Sequence, residues 1–181
     1  MKKSLLALAS GTLGLGIAEF VMMGILPNVA SDMGISIPQA GHFISAYALG
    51  VCVGAPLAAA FSQNRSLKQV LLALSLIYII GNFCAALSVG YGMLLCMRFI
   101  SGLPHGAFFG AGSIVAEKVA DKGKASQAVS VMIAGMTIAN LFGVPLGTML
   151  SNLISWRVPF LFNTAWGVLM FVLIWRWIPQ L

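Results

Sequence analysis

Acidic residues are scarce in this chain: four Asp and Glu stand among 181 residues, against ten Lys and Arg. All charged residues together make up 8%, whereas a soluble domain carries about 25%. A water-solvated surface cannot be built from that supply. Intrinsic disorder is excluded by the same shortage, since disordered chains are polar and highly charged. Cysteine is limited to Cys52, Cys84 and Cys96, each inside an apolar run, so neither a disulfide framework nor a Cys/His metal cluster is expected. The formal charge of +6 invites a nucleic-acid partner. The cations, however, are scattered between apolar runs and form no stripe to follow a phosphate backbone, so no nucleic acid is expected. No P-loop or dinucleotide fingerprint occurs: GTLGLG at 11–16 is glycine-rich but lies within an apolar run and follows no strand. No cofactor is expected.

In place of charge the chain has apolar length. Hydrophobic residues make up 60%, mean hydropathy is +0.98, and there are 20 glycines. A helix crossing lipid needs about 20 apolar residues. Six segments qualify: 4–26, 41–62, 68–88, 91–116, 125–151 and 158–178. The expected class is an all-α membrane protein, a single six-helix transmembrane domain over 1–181. The opening MKKSLLALAS has features of a secretory leader, with Ala7-Leu8-Ala9 in the place of a cleavage site. Its apolar core runs only from Leu5 to Leu8, short of the roughly 7–15 residues a leader needs. The run is therefore read as a retained first span. Of the basic residues at the span ends and in the links, eight fall on the side of the termini, among them Lys2, Lys3, Arg65 and Lys68, and only Arg157 on the other. The positive-inside rule then places both termini in the cytoplasm.

A repeat lies beneath the spans. Residues 54–62 read GAPLAAAFS and residues 143–151 read GVPLGTMLS, with Gly54, Pro56, Leu57 and Ser62 matching Gly143, Pro145, Leu146 and Ser151 at an offset of 89. That offset carries the first three spans onto the last three, as two repeats of about 4–88 and 91–178. Three is odd, so the second copy must cross the membrane inverted, an architecture that recurs in secondary transporters. Glycine and proline in a membrane helix allow close contact and a local bend. The GxPL elements serve either as gating bends or as packing kinks.

Three further motifs add to this. The first span reads GLGIAEFVMMGILPNVASDMGIS with an acid at Glu19, the fourth reads RFISGLPHGAFFG with an arginine at Arg98, and the fifth reads GMTIANLFGVPLGTML with Gly135, Gly143, Pro145 and Gly147. On these the chain resembles the N-terminal half of a major facilitator superfamily transporter, of the arabinose-efflux-permease-like branch of the drug:proton antiporters. The fifth-span match, to the antiporter motif, is the most specific. The link between the second and third spans departs from the family pattern. It reads SQNRSLKQ, with Gln63 near the place of an acid and Ser66 near that of a glycine, so that only Arg65 and Lys68 keep the basic character. Family members have twelve helices in two halves; this chain ends at Leu181, just past its sixth span.

Glu19 and Arg98 are the charges deep inside spans. An ionisable group in lipid costs about 2.5–3.5 kcal/mol on insertion scales, so by default it faces a cavity or a partner. Counted from Leu26 and Tyr91, each lies seven residues, about 10 Å, below the outer surface, and the resemblance implies that both helices line the central cavity. In one reading Glu19 exchanges protons while Arg98 tunes it; in the other the two form a fixed ion pair that orients two helices. His105, two turns further in than Arg98, titrates near neutrality when unperturbed. It shows no titrating partner at its depth, so a satisfied interior histidine is the expectation. Asn82, Asn140 and Asn163 are candidates for a polar cavity wall or for interhelical hydrogen bonds, Asn140 first because it lies in the fifth-span motif. His42 is placed at the outer interface, and three of Trp156, Trp166, Trp175 and Trp177 in an aromatic belt.

The resemblance implies proton-coupled efflux of a small organic solute, such as a sugar or drug, across the bacterial inner membrane, with no enzymatic activity. A second six-helix half, or a homodimer copy, would be needed as partner. One rival is a truncated, non-transporting membrane protein. Another is an intramembrane serine protease built on Ser101 and His105, but it lacks the first glycine of GxSG and any histidine in the sixth span.

Overall fold

The computed structural model describes residues 2–181; Met1 and the Lys2 side chain, half of the basic start used in the charge count, lie outside the described residues. The elements are α1 (Lys2–Met33), the single turn α2 (Ile37–Ala40), α3 (His42–Phe61), α4 (Leu67–Ala86), α5 (Tyr91–Val119), α6 (Ala125–Ile138), a π-turn (Ala139–Gly143), α7 (Val144–Leu153) and α8 (Arg157–Trp177). They make six helices long and apolar enough to cross a membrane, and no strand occurs among the described residues.

Two boundaries differ from the sequence expectation, each for a local reason. The first span does not end at Leu26: α1 runs through Pro27 to Met33, 32 residues in all. Proline removes one helix donor, but tertiary bonds hold the turns beyond it. Asn28 donates to Ser151 Oγ (2.7 Å) and Asn152 Oδ1 (2.8 Å), and the Trp156 indole donates to Asp32 Oδ2 (2.9 Å). The helix reaches about 48 Å, well beyond the roughly 30 Å of hydrocarbon. The fifth span is interrupted where its GxPL element begins. Pro145 has no N–H to return to the preceding turn, and the helix widens into the π-turn at Ala139–Gly143 before resuming as α7. The matching Pro56 of the second span sits inside an unbroken α-helix. The two copies of the element therefore share residues but not backbone shape.

The main helix contacts recur when the first three spans exchange with the last three, although the fifth span touches α8 where α3 and α4 stand apart. The fifth span lies along α1 as α3 lies along α5, and α8 packs on α1 as α4 packs on α5; α1 meets α5 and α4 meets α8. Glycines set the closest approaches. A Cβ on Gly54 would strike the backbone of Leu103, and one on Gly135 the carbonyl of Ala9, so α3 against α5 and α6 against α1 come together backbone to backbone. The helices α1 and α5 form the centre, and the second and fifth spans are the least buried.

This contrast is testable. Gly54→Ala has no flexible side chain to push aside and is expected to destabilise by about 1–3 kcal/mol, the range for overpacking. Gly110→Ala, in the same bundle with open space around it, should stabilise α5 by about 0.5–1 kcal/mol through helix propensity. Thermal unfolding in detergent would show opposite signs; a matching sign would refute the close-contact account.

Candidate functional site

One face of α1 supplies acceptors to most of the bundle. The Trp166 indole donates to Ser10 O (2.8 Å), the Tyr78 hydroxyl to Gly14 O (2.9 Å), and the Arg98 guanidinium through Nη1 to Ala18 O (2.6 Å). These carbonyls recur every four residues, on one side of the helix. A carbonyl oxygen has two lone pairs, so each can hold its helical bond and take a second donor. In the reverse direction Thr12 of α1 donates to Met132 O of α6 (2.5 Å).

Arg98 has no solvent exposure. Besides Ala18 O, it donates through Nε to Phe43 O (3.2 Å) and through Nη2 to the backbone oxygen of Glu19 (3.4 Å), while its guanidinium carbon lies 4.4 Å from the centre of the Tyr47 ring. The buried cation is thus held by backbone dipoles and an aromatic face. No ion pair joins it to the Glu19 carboxylate among the described residues.

The carboxylate faces His105 instead. Glu19 Oε2 lies 3.6 Å from His105 Nε2, with side-chain exposures of 31% and 8%. That is wide for a direct hydrogen bond and suits a proton-dependent contact or a bridging water. The opposite ring nitrogen, Nδ1, is 2.9 Å from the Tyr47 hydroxyl, whose other acceptor, Leu15 O, is 3.4 Å away. The shorter distance favours the tyrosine donating to Nδ1, which puts the proton of a neutral ring on Nε2, facing the carboxylate. Phe109 stacks on the imidazole at 5.3 Å.

This geometry corrects two expectations. The Glu19 carboxylate does not pair with Arg98, although the guanidinium reaches the Glu19 backbone oxygen, and His105 does not lack a partner. Because α1 continues to Met33, Glu19 lies fourteen residues from its end, as His105 lies fourteen from the start of α5, or about 21 Å along each helix. Side chains lean toward their helix N-terminus. On antiparallel helices this carries the Glu19 carboxylate away from Arg98 and toward His105. Tyr47 was missed altogether; its only sequence signal is a hydroxyl in the middle of an apolar span.

The other candidates are dispersed. Asn140 is exposed within the π-turn and joins none of these contacts. Gly135, Gly143 and Gly147 face Ala9 and Thr12, Ile17, and Val21 of α1 respectively, so they seat the fifth span, while Pro145 is exposed. Asn163 donates to Asn82 Oδ1 (3.3 Å) between α8 and α4, both fully buried, which is the interhelical reading. Arg65 is exposed and Lys68 half-buried at the start of α4. His42 is exposed, with Nδ1 2.6 Å from the Tyr91 hydroxyl. Trp156 and Trp166 donate to other helices rather than serving only as a belt. Ser101 gives its hydroxyl to Met97 O (2.7 Å), not to His105. No His/Cys/Asp/Glu group fit for a metal occurs among the described residues.

Comparison with known proteins places this arrangement. A family model described as Major Facilitator Superfamily matches residues 8–181. The chain is 51% identical to the putative transporter AraJ of Escherichia coli (strain K12) over 181 residues, all of this chain and 46% of that protein. It is 31% identical to a chloramphenicol resistance protein of Streptomyces lividans over 160 residues, 88% of this chain and 41% of that one. Among solved structures, the proton:xylose symporter XylE bound to 6-bromo-6-deoxy-D-glucose superposes with a TM-score of 0.87 at 15% identity, over 98% of this chain and 44% of that one. The chain spans less than half the length of these proteins.

The carbonyl cage makes a prediction for Arg98→Lys. An ammonium on a flexible stem cannot reproduce the planar fork, and each charge-assisted bond lost is worth about 1.5–3 kcal/mol. Thermal unfolding in detergent should show at least one such loss; unchanged stability would mean that the cage does not hold α1 to α5.

Proposed function

The chain belongs to the Major Facilitator Superfamily, and from that premise we propose that it is one half of a secondary active transporter exporting a small organic solute, a sugar or a drug, in exchange for protons. The membrane is the bacterial inner membrane, with both termini in the cytoplasm as the distribution of Lys and Arg favours. The observation that carries the reading is the half-buried Glu19 carboxylate 3.6 Å from His105 Nε2. The other acids, Asp32, Glu117 and Asp121, lie at helix ends or in a link. An intramembrane ionisable residue with a named partner is by default part of an ion pathway.

The roles follow from the contacts. Glu19 takes up and releases the proton. His105 positions the carboxylate, and Tyr47 fixes which imidazole nitrogen faces it. Arg98 supplies a fixed positive charge close to Glu19 without neutralising it by direct pairing. Asn140 and the π-turn lie on the exposed face of the fifth span, where a solute cavity would be completed by a partner.

That partner is a second six-helix half, as a separate chain or as another copy of this one. The support is the apolar surface of the second and fifth spans. Leu49 and Val53 on α3 are exposed, as are Val131, Ile133 and Leu141 on the fifth span. The twelve-helix relatives are about twice as long.

Transport in inverted vesicles carrying the chain with a companion half tests the reading. Glu19→Gln should lower solute movement driven by a pH gradient at least tenfold while solute exchange without a gradient persists. Glu19→Asp should keep part of the driven rate. Undiminished gradient-driven transport in Glu19→Gln would overturn the assignment.

A further inference from the structure

The bundle carries two grooves that are copies of each other. The first, of about 490 Å³, lies between α3 and α4 and is floored by Leu103 of α5. The second, of about 280 Å³, lies between the fifth span and α8 and is floored by Leu13 and Ile17 of α1. Seven lining positions of the first recur in the second at the offset of 89, among them Gly54 and Gly143, Leu57 and Leu146, and Ala73 and Phe162. The repeat inverts its copies, so the grooves open toward opposite faces of the membrane. Both are almost wholly apolar.

They differ at the mouth. Arg65 and Gln69 line the entrance of the first. Gln69 is engaged in the capping box of α4 with Ser66. Arg65 is exposed, and its guanidinium has no partner among the described residues. At the offset of 89, Ile154 and Val158 stand in the places of Arg65 and Gln69, and the second groove is lined by no charged residue. The nearby Arg157 is consumed by Ala86 O and Ser88 O, at 2.7 Å each, and by the Trp156 ring.

We propose that the α3–α4 groove is a binding site for an anionic phospholipid, its acyl chain lying along Leu57, Ala73 and Ile77 and its phosphate on Arg65. The chemistry is complementary at both ends: an apolar channel on a membrane-facing bundle, and a free cation at its mouth. Basic pockets between transmembrane helices hold anionic head groups in this way. A volume of about 490 Å³ lies within the range of roughly 300–1,000 Å³ usual for small-ligand sites. The second groove, apolar to its mouth, accepts a chain without regard to head-group charge, so the molecule carries its own internal control.

Native mass spectrometry of the detergent-solubilised chain, titrated with dioleoyl-phosphatidylglycerol or dioleoyl-phosphatidylcholine, tests this. The first groove should prefer the anionic lipid about fivefold, as one cation beside an anionic lipid implies, and total occupancy should be severalfold higher for it, since the second groove takes both lipids alike. Arg65→Gln should bring the two lipids to equality, and Arg65→Lys should keep the preference. Ala73→Phe, which copies the residue of the second groove, should lower uptake of both lipids with the helical circular dichroism unchanged. Inorganic phosphate at equal concentration should not displace the lipid. Equal binding of the two lipids by the parent chain, a preference surviving Arg65→Gln, uptake indifferent to Ala73→Phe, or displacement by phosphate would each overturn the proposal. The first two would deny the role of Arg65, the third would leave the groove as a seat for another helix, and the last would make it a site for the free anion.

Discussion

The bundle depends on the second lone pair of carbonyls along α1. Within lipid every backbone group must be satisfied internally, and a helix meets that demand by itself. The spare acceptor capacity of Ser10, Gly14 and Ala18 is then available to donors from α8, α4 and α5. Hydrocarbon gives no hydrophobic drive between helices, so close packing and such bonds must supply the association. Small side chains on α1 make the carbonyls reachable. A Cβ on Gly14 would meet Trp166 and Tyr78, the two residues that donate to this face. The glycine-rich stretch GTLGLG therefore has a structural explanation that requires no nucleotide.

That constraint also shapes the site. Arg98 is spent on carbonyls, which leaves the Glu19 carboxylate free to face His105. A guanidinium engaged with backbone dipoles keeps its charge in place whatever the protonation of its neighbour. The carboxylate is about a third exposed, while the imidazole behind it is closed off by Tyr47 and Phe109. Access is therefore from the open side of the bundle.

The number of spans and their approximate limits were legible because the signal is long: about twenty apolar residues leave little ambiguity, and short polar links separate them. The repeat was legible through glycines that close packing occupies at matching points, Gly54 against Leu103 and Gly143 against Ile17. The depth of Glu19 was not. Counting from Leu26, where the apolar run weakens before Pro27, misplaces it, because Asn28 donates to the fifth span and Asp32 accepts from Trp156 at the head of the sixth, and these bonds carry the helix on to Met33. No local pattern announces those bonds, since their partners lie more than 120 residues away. The same shift hid the pairing with His105. Tyr47 was invisible for a different reason: an isolated tyrosine in a span reads as packing until its hydroxyl is seen beside an imidazole. The π-turn shows the limit of reading by repeat, because Pro56 and Pro145 share a motif and only the second opens its helix.

The donors that complete α1 come late in the chain. Ala18 and Arg98 stand 80 residues apart, and Ser10 and Trp166 stand 156 apart. During synthesis the first segment must therefore enter the bilayer with its polar stripe and its carboxylate still awaiting their partners, and it remains incomplete until the last segment arrives. Membrane insertion and final assembly are for this reason separate events, and any nascent chain interrupted in between would hold the Glu19 carboxylate in an environment that cannot solvate it.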